Sequence, residues 1–296
     1  PTMLLRKHAQ RLLVERGNAD VAESLIQLVD NQSVDEIGLN VGSIHGLWTL
    51  HGLGQFTGSN PSAEAALLNA MGHPSRGVRR NAIQALPLTN ESTRNILQQN
   101  LLNDPDAQVR LATLLALCDL PPVAQAGSAL LAMWQKQARY KDRWTPDAFT
   151  AAAAANDSAF LQAVAELDSP DAELIKIVSI VSEHYARGGN SVALPVLMTG
   201  LIDSNPAVLN AIIAGLAKGW PDDKPPVMGQ SLENNLKLLV EKLTPRDRGS
   251  LVKLAQSWGS TQFADYAAKV SEDLLTQVDN SELSLDQRIT AAREVV

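Results

Sequence analysis

An all-α fold, an α/α superhelix in which antiparallel helix pairs stack as a right-handed solenoid, is predicted by three features of this chain. The first is a recurring turn signature. His73-Pro74-Ser75-Arg76-Gly77-Val78-Arg79 and Asp104-Pro105-Asp106-Ala107-Gln108-Val109-Arg110 each run straight into an Ala/Leu-rich stretch. Looser copies start at Pro146, Pro170, Pro206 and Pro245. The mean step of about 34 residues lies inside the window of repeat architectures. The second feature is the helical period of the apolar residues along almost the whole chain. The third is composition: 45% hydrophobic but only 4% aromatic, so the apolar mass is Ala, Leu, Val and Ile, as closely packed helix pairs require, whereas sheets favour aromatic and β-branched residues.

The elements follow in order. Leu4, Leu5, His8, Leu12 and Leu13 mark one side of a first helix that Gly17-Asn18 stops. Asp20 opens the next, with Val21, Leu25, Leu28 and Val29 on one face. A connector from Asn31 to Gly42 leads into Ser43 to Gly54. Helices are then expected near 62–72, 76–87, 91–103 and 106–119, separated by turns rich in Asn, Asp, Ser, Gly and Pro. Val78 and Val109 fall on the first turn of the second helix of each pair and point into the stack. Ile83 and Leu86, and Leu114 and Leu117, continue that face. Arg79 and Arg110 occupy equivalent places. They read as a structural ladder reaching an acid or carbonyl of the neighbouring repeat, or else as a row that binds anions.

Beyond residue 120 the rhythm loosens. Trp134 to Trp144 form a basic, aromatic connector, and Ala151 to Ala155 an all-alanine helical stretch. Further helices are expected near 158–167, 171–187, 191–203, 206–218, 229–243, 246–258 and 260–278, interrupted by Trp220-Pro221-Asp222-Asp223-Lys224-Pro225-Pro226, which cannot continue a helix. A last helix begins at Ser284 and runs to Val296. The whole, 1–296, reads as one solenoid with sub-blocks 1–140, 141–220 and 227–296. Its valine end and its bare start predict a segment of a longer polypeptide, since terminal repeats normally carry a polar cap.

Charge and motifs exclude most chemistry. A net charge of −7 with no basic face argues against a nucleic-acid binder, and no apolar run reaches a membrane span. The single cysteine, Cys118, rules out an internal disulfide and a Cys-x-x-Cys-His haem site; it reads as a small apolar core residue. No phosphate loop, nucleophile elbow or zinc motif is present. His45 and His51, six residues apart, lie about 240° apart on a helix and cannot share a metal ion. Buried, hydrogen-bonded structural roles are expected for both. Acidic stretches such as Asp222-Asp223 sit at turns, where Asp caps helices. No catalytic, cofactor-binding or metal-binding residue is therefore expected. Trp134, Arg139, Tyr140, Arg143 and Trp144 are the residue types enriched at binding hot spots and form the candidate partner site; their alternative role is to plug a packing defect.

The paired helices, the Asp/Asn-Pro turn and the Val-Arg that follows resemble HEAT repeats. More specifically, Arg6 to Gly17, Ile44 to Gly54 and His73 to Leu86 resemble segments of large secreted bacterial membrane-bound dehydrogenase proteins. In those a sugar-dehydrogenase-like β-propeller precedes a HEAT region and a c-type cytochrome domain often follows. The resemblance implies a periplasmic or extracellular, non-catalytic scaffold that spaces or docks such domains, its parent being a dehydrogenase, with protein as partner and no cofactor in this segment. The alternative is a stand-alone binding module whose concave face holds a peptide, protein or glycan.

Overall fold

The computed structural model describes residues 2–136, 142–243, 245–260, 262–263, 272–273 and 275–295. Among them every regular element is an α-helix or a short 3-10 turn. The chain divides into two compact units, Pro1–Asn156 and Asp157–Val296.

The first unit contains α1 (Met3–Arg16), α2 (Ala22–Val29), α3 (Val41–Gly52), α4 (Pro61–Ala70), α5 (Arg76–Gln84), α6 (Asn90–Gln98), α7 (Ala107–Asp119), α8 (Ala124–Lys136) and α9 (Trp144–Ala155). The odd-numbered helices form one layer, in which α1, α3, α5, α7 and α9 pack on one another in sequence. In the other layer α2 packs on α4 and α6 on α8. Pairs α2–α3, α4–α5 and α8–α9 join the layers, and α6 reaches α7 through a 3-10 turn, Leu101–Asn103.

Local chemistry explains these boundaries. The α1 helix ends at Gly17, whose left-handed φ of 68° lets its N–H donate to the carbonyls of Leu13 and Val14. Asn60 caps α4 by accepting from Ala63 N–H, with Pro61 at the first helical position. Asp106 caps α7, its carboxylate accepting from the N–H groups of Gln108 and Val109. The expected helix over 91–103 breaks at Asn100, which takes φ 56° before the 3-10 turn; asparagine tolerates that conformation better than most residues. The α2 helix begins at Ala22 rather than Asp20, because Asn18 caps an intervening 3-10 turn, Ala19–Val21.

Val78, Val109, Leu114 and Leu117 are fully buried, with Ile83 and Leu86 nearly so; each such side chain contributes about 1.5–3 kcal/mol of transfer free energy. The apolar side of α1 departs from expectation. Leu4, Leu5, His8 and Leu12 are exposed and Leu13 is half-buried, because α1 meets α3 with the side that carries Val14, which packs over Gly52; a Cβ on Gly52 would lie 2.7 Å from Val14 Cγ2. The signals above predict no separate helix over α8, although Ala126, Leu130 and Met133 are buried at helical spacing.

The second unit contains α10 (Asp157–Ala165), α11 (Ala172–Gly188), α12 (Leu194–Gly200), α13 (Pro206–Gly219), α14 (Gln230–Lys242), α15 (Pro245–Ser257) and α16 (Leu285–Val295). Here α12 packs on α10 and α14, and α13 on α11 and α15. The α11–α13 contact is the tightest. A Cβ on Gly215 would lie 2.8 Å from Ser179 O and 2.9 Å from Glu183 N, and one on Gly219 would lie 2.5 Å from Glu183 O. Two glycines four residues apart thus clear one stripe of α13 for the α11 backbone.

Candidate partner-binding face

The turn before α5 is organised by His73, which is fully buried. Its Nδ1 accepts from Ser75 N–H at 2.8 Å, so its proton sits on Nε2, which donates to Asn31 O at 3.0 Å. Asn40 reinforces the same connector by donating to the carbonyls of Asn31 and Ser33. The connector is thereby held against the start of α5, where Leu39 forms one wall of a surface cavity.

Arg79 spans two repeats. Its Nε and one terminal nitrogen bind both carboxylate oxygens of Asp104 at 2.7 and 2.8 Å, while the other terminal nitrogen donates to the carbonyls of His73 and Pro74. Asp104 also accepts from Asp106 N–H at 2.8 Å. Side-chain exposures of 13% and 4% mark the pair as buried. Arg110, in the equivalent place, donates instead to the carbonyls of Asp104 and Pro105 in its own turn.

The neighbours of Arg79 behave differently. Arg76 and Arg80, four residues apart, share the outer side of α5 and line a cavity of about 360 Å³ with Leu39, Gly77, Asp106 and Gln108. Arg76 meets Asp106 at 3.6 Å with its side chain 69% exposed. Toward the C-terminal end of α5, exposed Leu88, in the connector after that helix, and Leu115 of α7 flank a second cavity of about 230 Å³, with Ile83, Leu86, Asp119 and Leu120 also in its lining. A basic cavity and a largely apolar one thus follow each other along the furrow where α5 packs on α7. Sequence reasoning missed it. The available signal was three arginines within five residues of a helix with no acid in its first turn.

The aromatic connector is divided between two helices. Trp134 lies within α8, half-buried, its ring 4.8 Å from that of the fully buried Phe149. Trp144 opens α9 and is 67% exposed. Arg143 stands 5.7 Å over its ring and 3.8 Å from Asp147. Asp142 accepts from the backbone and hydroxyl of Thr145, bonds that hold its carboxyl below the usual carboxylate range. Arg139 and Tyr140 lie outside the described residues. The second irregular stretch, after α13, folds inward: Trp220 is nearly buried, meets Trp258 edge-on at 4.9 Å and donates to Lys224 O. Nearby Tyr185 donates to Asn190 O, and burial pushes its phenol well above the usual range, with help from Asp157.

Neither histidine of the pair around Trp48 meets a metal partner. His45 is half-buried, with Nδ1 2.6 Å from Gln10 Oε1. His51 is exposed rather than buried as expected, its ring edge-on to Trp48 at 5.3 Å; six residues of helix turn it away from the side that packs. Cys118 is half-buried and donates to Leu114 O, and burial, with the charge of Asp119, raises its thiol pKa. Among the described residues no three acidic, histidine or cysteine side chains are grouped to hold a metal ion, and no helix is long and apolar enough to cross a membrane.

No curated protein and no solved structure matches the chain. Residues 47–118, from within α3 to the last turn of α7, match the family model of HEAT repeats.

Proposed function

We propose that this chain is a non-catalytic scaffold that holds a protein partner on the exposed side of the odd-helix layer of its first unit. HEAT repeats typically serve as scaffolds or protein-interaction modules, and the observation that carries the reading lies within the matched segment. Its recurring valines, Val78 and Val109, are buried and its recurring arginines, Arg79 and Arg110, are held by their turn carbonyls, whereas Arg80, Leu88 and Leu115 remain exposed along the furrow. Arg143 and Trp144 extend the candidate surface on α9. A photo-crosslinking residue at Gln84, in the lining of the apolar cavity, tests the reading in the source cells. A defined protein adduct at Gln84, absent from the same residue at Arg94 on α6, is expected. Adducts at both sites, or at neither, would sink the scaffold reading.

The resemblance of Arg6 to Gly17, Ile44 to Gly54 and His73 to Leu86 supports a narrower form of the same proposal. In it the chain spaces a propeller and a c-type cytochrome domain within an extracytoplasmic oxidoreductase. Cell fractionation and haem staining of the native gene product check this form: a haem-free product retained in the cytoplasm would leave a scaffold without that setting.

A further inference from the structure

We infer that the α5–α7 furrow takes a short amphipathic segment of a partner protein, one that presents carboxylates beside bulky apolar side chains. This rests on the scaffold reading and specifies the chemistry of its partner.

The basic end is poorly explained by folding. Arg76, Arg79 and Arg80 all lie in the first five residues of α5, where aligned peptide dipoles disfavour cations. Arg79 is matched by Asp104. Arg76 has only a distant, solvated approach to Asp106, a kind of pair that contributes little. Arg80 is exposed and makes no hydrogen bond or ion pair among the described residues. Its like-charged neighbour four residues away is itself mildly unfavourable for the helix. A guanidinium left open beside a second one, at the rim of a cavity, suits a carboxylate that accepts two hydrogen bonds.

The apolar end begins at Ile83 in the last turn of α5 and continues through Leu86 and Leu88, which follow that helix. There Leu88 is 69% and Leu115 51% exposed, and the cavity between them reaches Ile83 and Leu86. Apolar surface of this kind, rimmed by polar groups, marks interaction sites. A ligand carrying charge alone would leave those leucines in water, and one that is purely apolar would desolvate the arginines without partners. Polyanions such as nucleic acid fit the arginines but not the leucines. The two ends together select a segment that carries acids beside leucine-like residues.

Fluorescence anisotropy with the full chain tests this. The probe is a labelled helical peptide bearing two glutamates one turn from two leucines, compared with its Glu→Gln, Leu→Ser and scrambled forms. Binding weakened at least tenfold by each peptide change, by Arg80→Gln and by Leu115→Ser, but not by Arg94→Gln, is expected, with affinity falling as salt rises. Equal binding of the scrambled peptide, no binding of the probe, or indifference to Arg80→Gln overturns the inference. So does Arg80-dependent binding of a single-stranded oligonucleotide, or an Arg80-dependent dimer in sedimentation, each naming a different occupant. Amide exchange across α5 and α7 in the variants must match the parent, and an additional charge-reversed pair, Arg80→Glu with a Glu→Lys peptide, should restore binding. If the probe fails while Gln84 still crosslinks to a protein, the partner chemistry is wrong and the scaffold stands; loss of the adduct removes the scaffold itself.

Discussion

The Arg79–Asp104 pair should behave as one energetic unit that couples two successive repeats. Asp104→Ala strands a guanidinium whose side chain is only 13% exposed and removes the acceptor of Asp106 N–H. Breaking a buried pair from one side costs about 3–5 kcal/mol. Arg79→Met leaves a carboxylate 4% exposed and takes the donor from the carbonyls of His73 and Pro74, so a similar loss is expected. The double variant buries no unpaired charge and should lose only about as much as one single variant. The cycle then closes with a coupling of about 3 kcal/mol. Hydrogen exchange of α5 and α7 amides in the full chain reads this locally, which avoids assuming that two units unfold together. Arg110→Met is the control: its guanidinium meets only backbone carbonyls of its own turn, so it should cost about 1 kcal/mol and show no coupling to the Asp104 carboxylate. Single-variant losses that add to within about 0.5 kcal/mol would refute the inter-repeat role.

Four further outcomes are expected. Gly215→Ala should destabilise the second unit by about 1–2 kcal/mol on urea unfolding: the helix-propensity gain of about 1 kcal/mol is outweighed by a methyl pressed against backbone atoms of Ser179 and Glu183, and a more stable variant would contradict that packing. Ser75→Ala should cost less than about 0.5 kcal/mol, below the usual loss of an N-cap, because its buried hydroxyl makes no cap bond and has no partner. Stability should decline on acidification below about pH 6.5 partly through His45, whose folded pKa is lowered by burial and then by Arg6 and Lys7. The unfolded chain then takes the proton first, so His45→Gln should flatten that part of the pH profile and leave the region above pH 7 unchanged. Alkylation of Cys118 by iodoacetamide at pH 8 should be slower than that of a free thiol, since burial raises its pKa; a rate equal to glutathione's would place it in solvent.

Much of the fold is legible in the sequence because its determinants are local. A proline turn, a capping acid and an apolar residue at the first helical turn lie within a few positions, so α4 to α7 and α10 to α15 could be placed from their own residues. What escaped is set by residues distant in sequence. Asp104 stands six residues before Arg110, yet its carboxylate belongs to Arg79, 25 residues earlier; only stacking brings them together. Gly215 and Gly219 read as ordinary breaks in helix propensity until α11 lies against them. His51 shares a helix with His45 but not a side, and its exposure follows from which side α1, α2 and α5 leave open. The arginine cluster of the furrow is legible on α5 alone, but its neighbourhood with Leu115 is not, because the two walls come from helices about thirty residues apart.

The two sharp repeats, laid over each other at their common 31-residue offset, separate folding residues from candidate recognition residues. Val78 coincides with Val109 and Arg79 with Arg110, and these repeated positions face the stack or the turn that joins it. Arg76 and Arg80 coincide with Ala107 and Leu111, and Leu88 with Asp119; these unrepeated positions line the furrow. Successive residues on a helix differ by about 100°, so Arg79 can turn into the next repeat while Arg80 turns out of it, although the sequence shows only adjacent arginines. A solenoid must repeat what holds neighbours together, because every junction poses the same packing problem. It has no reason to repeat what contacts a partner. On that ground the departures from the repeat in α5 and just after it, rather than the repeat itself, carry the recognition chemistry proposed for this chain.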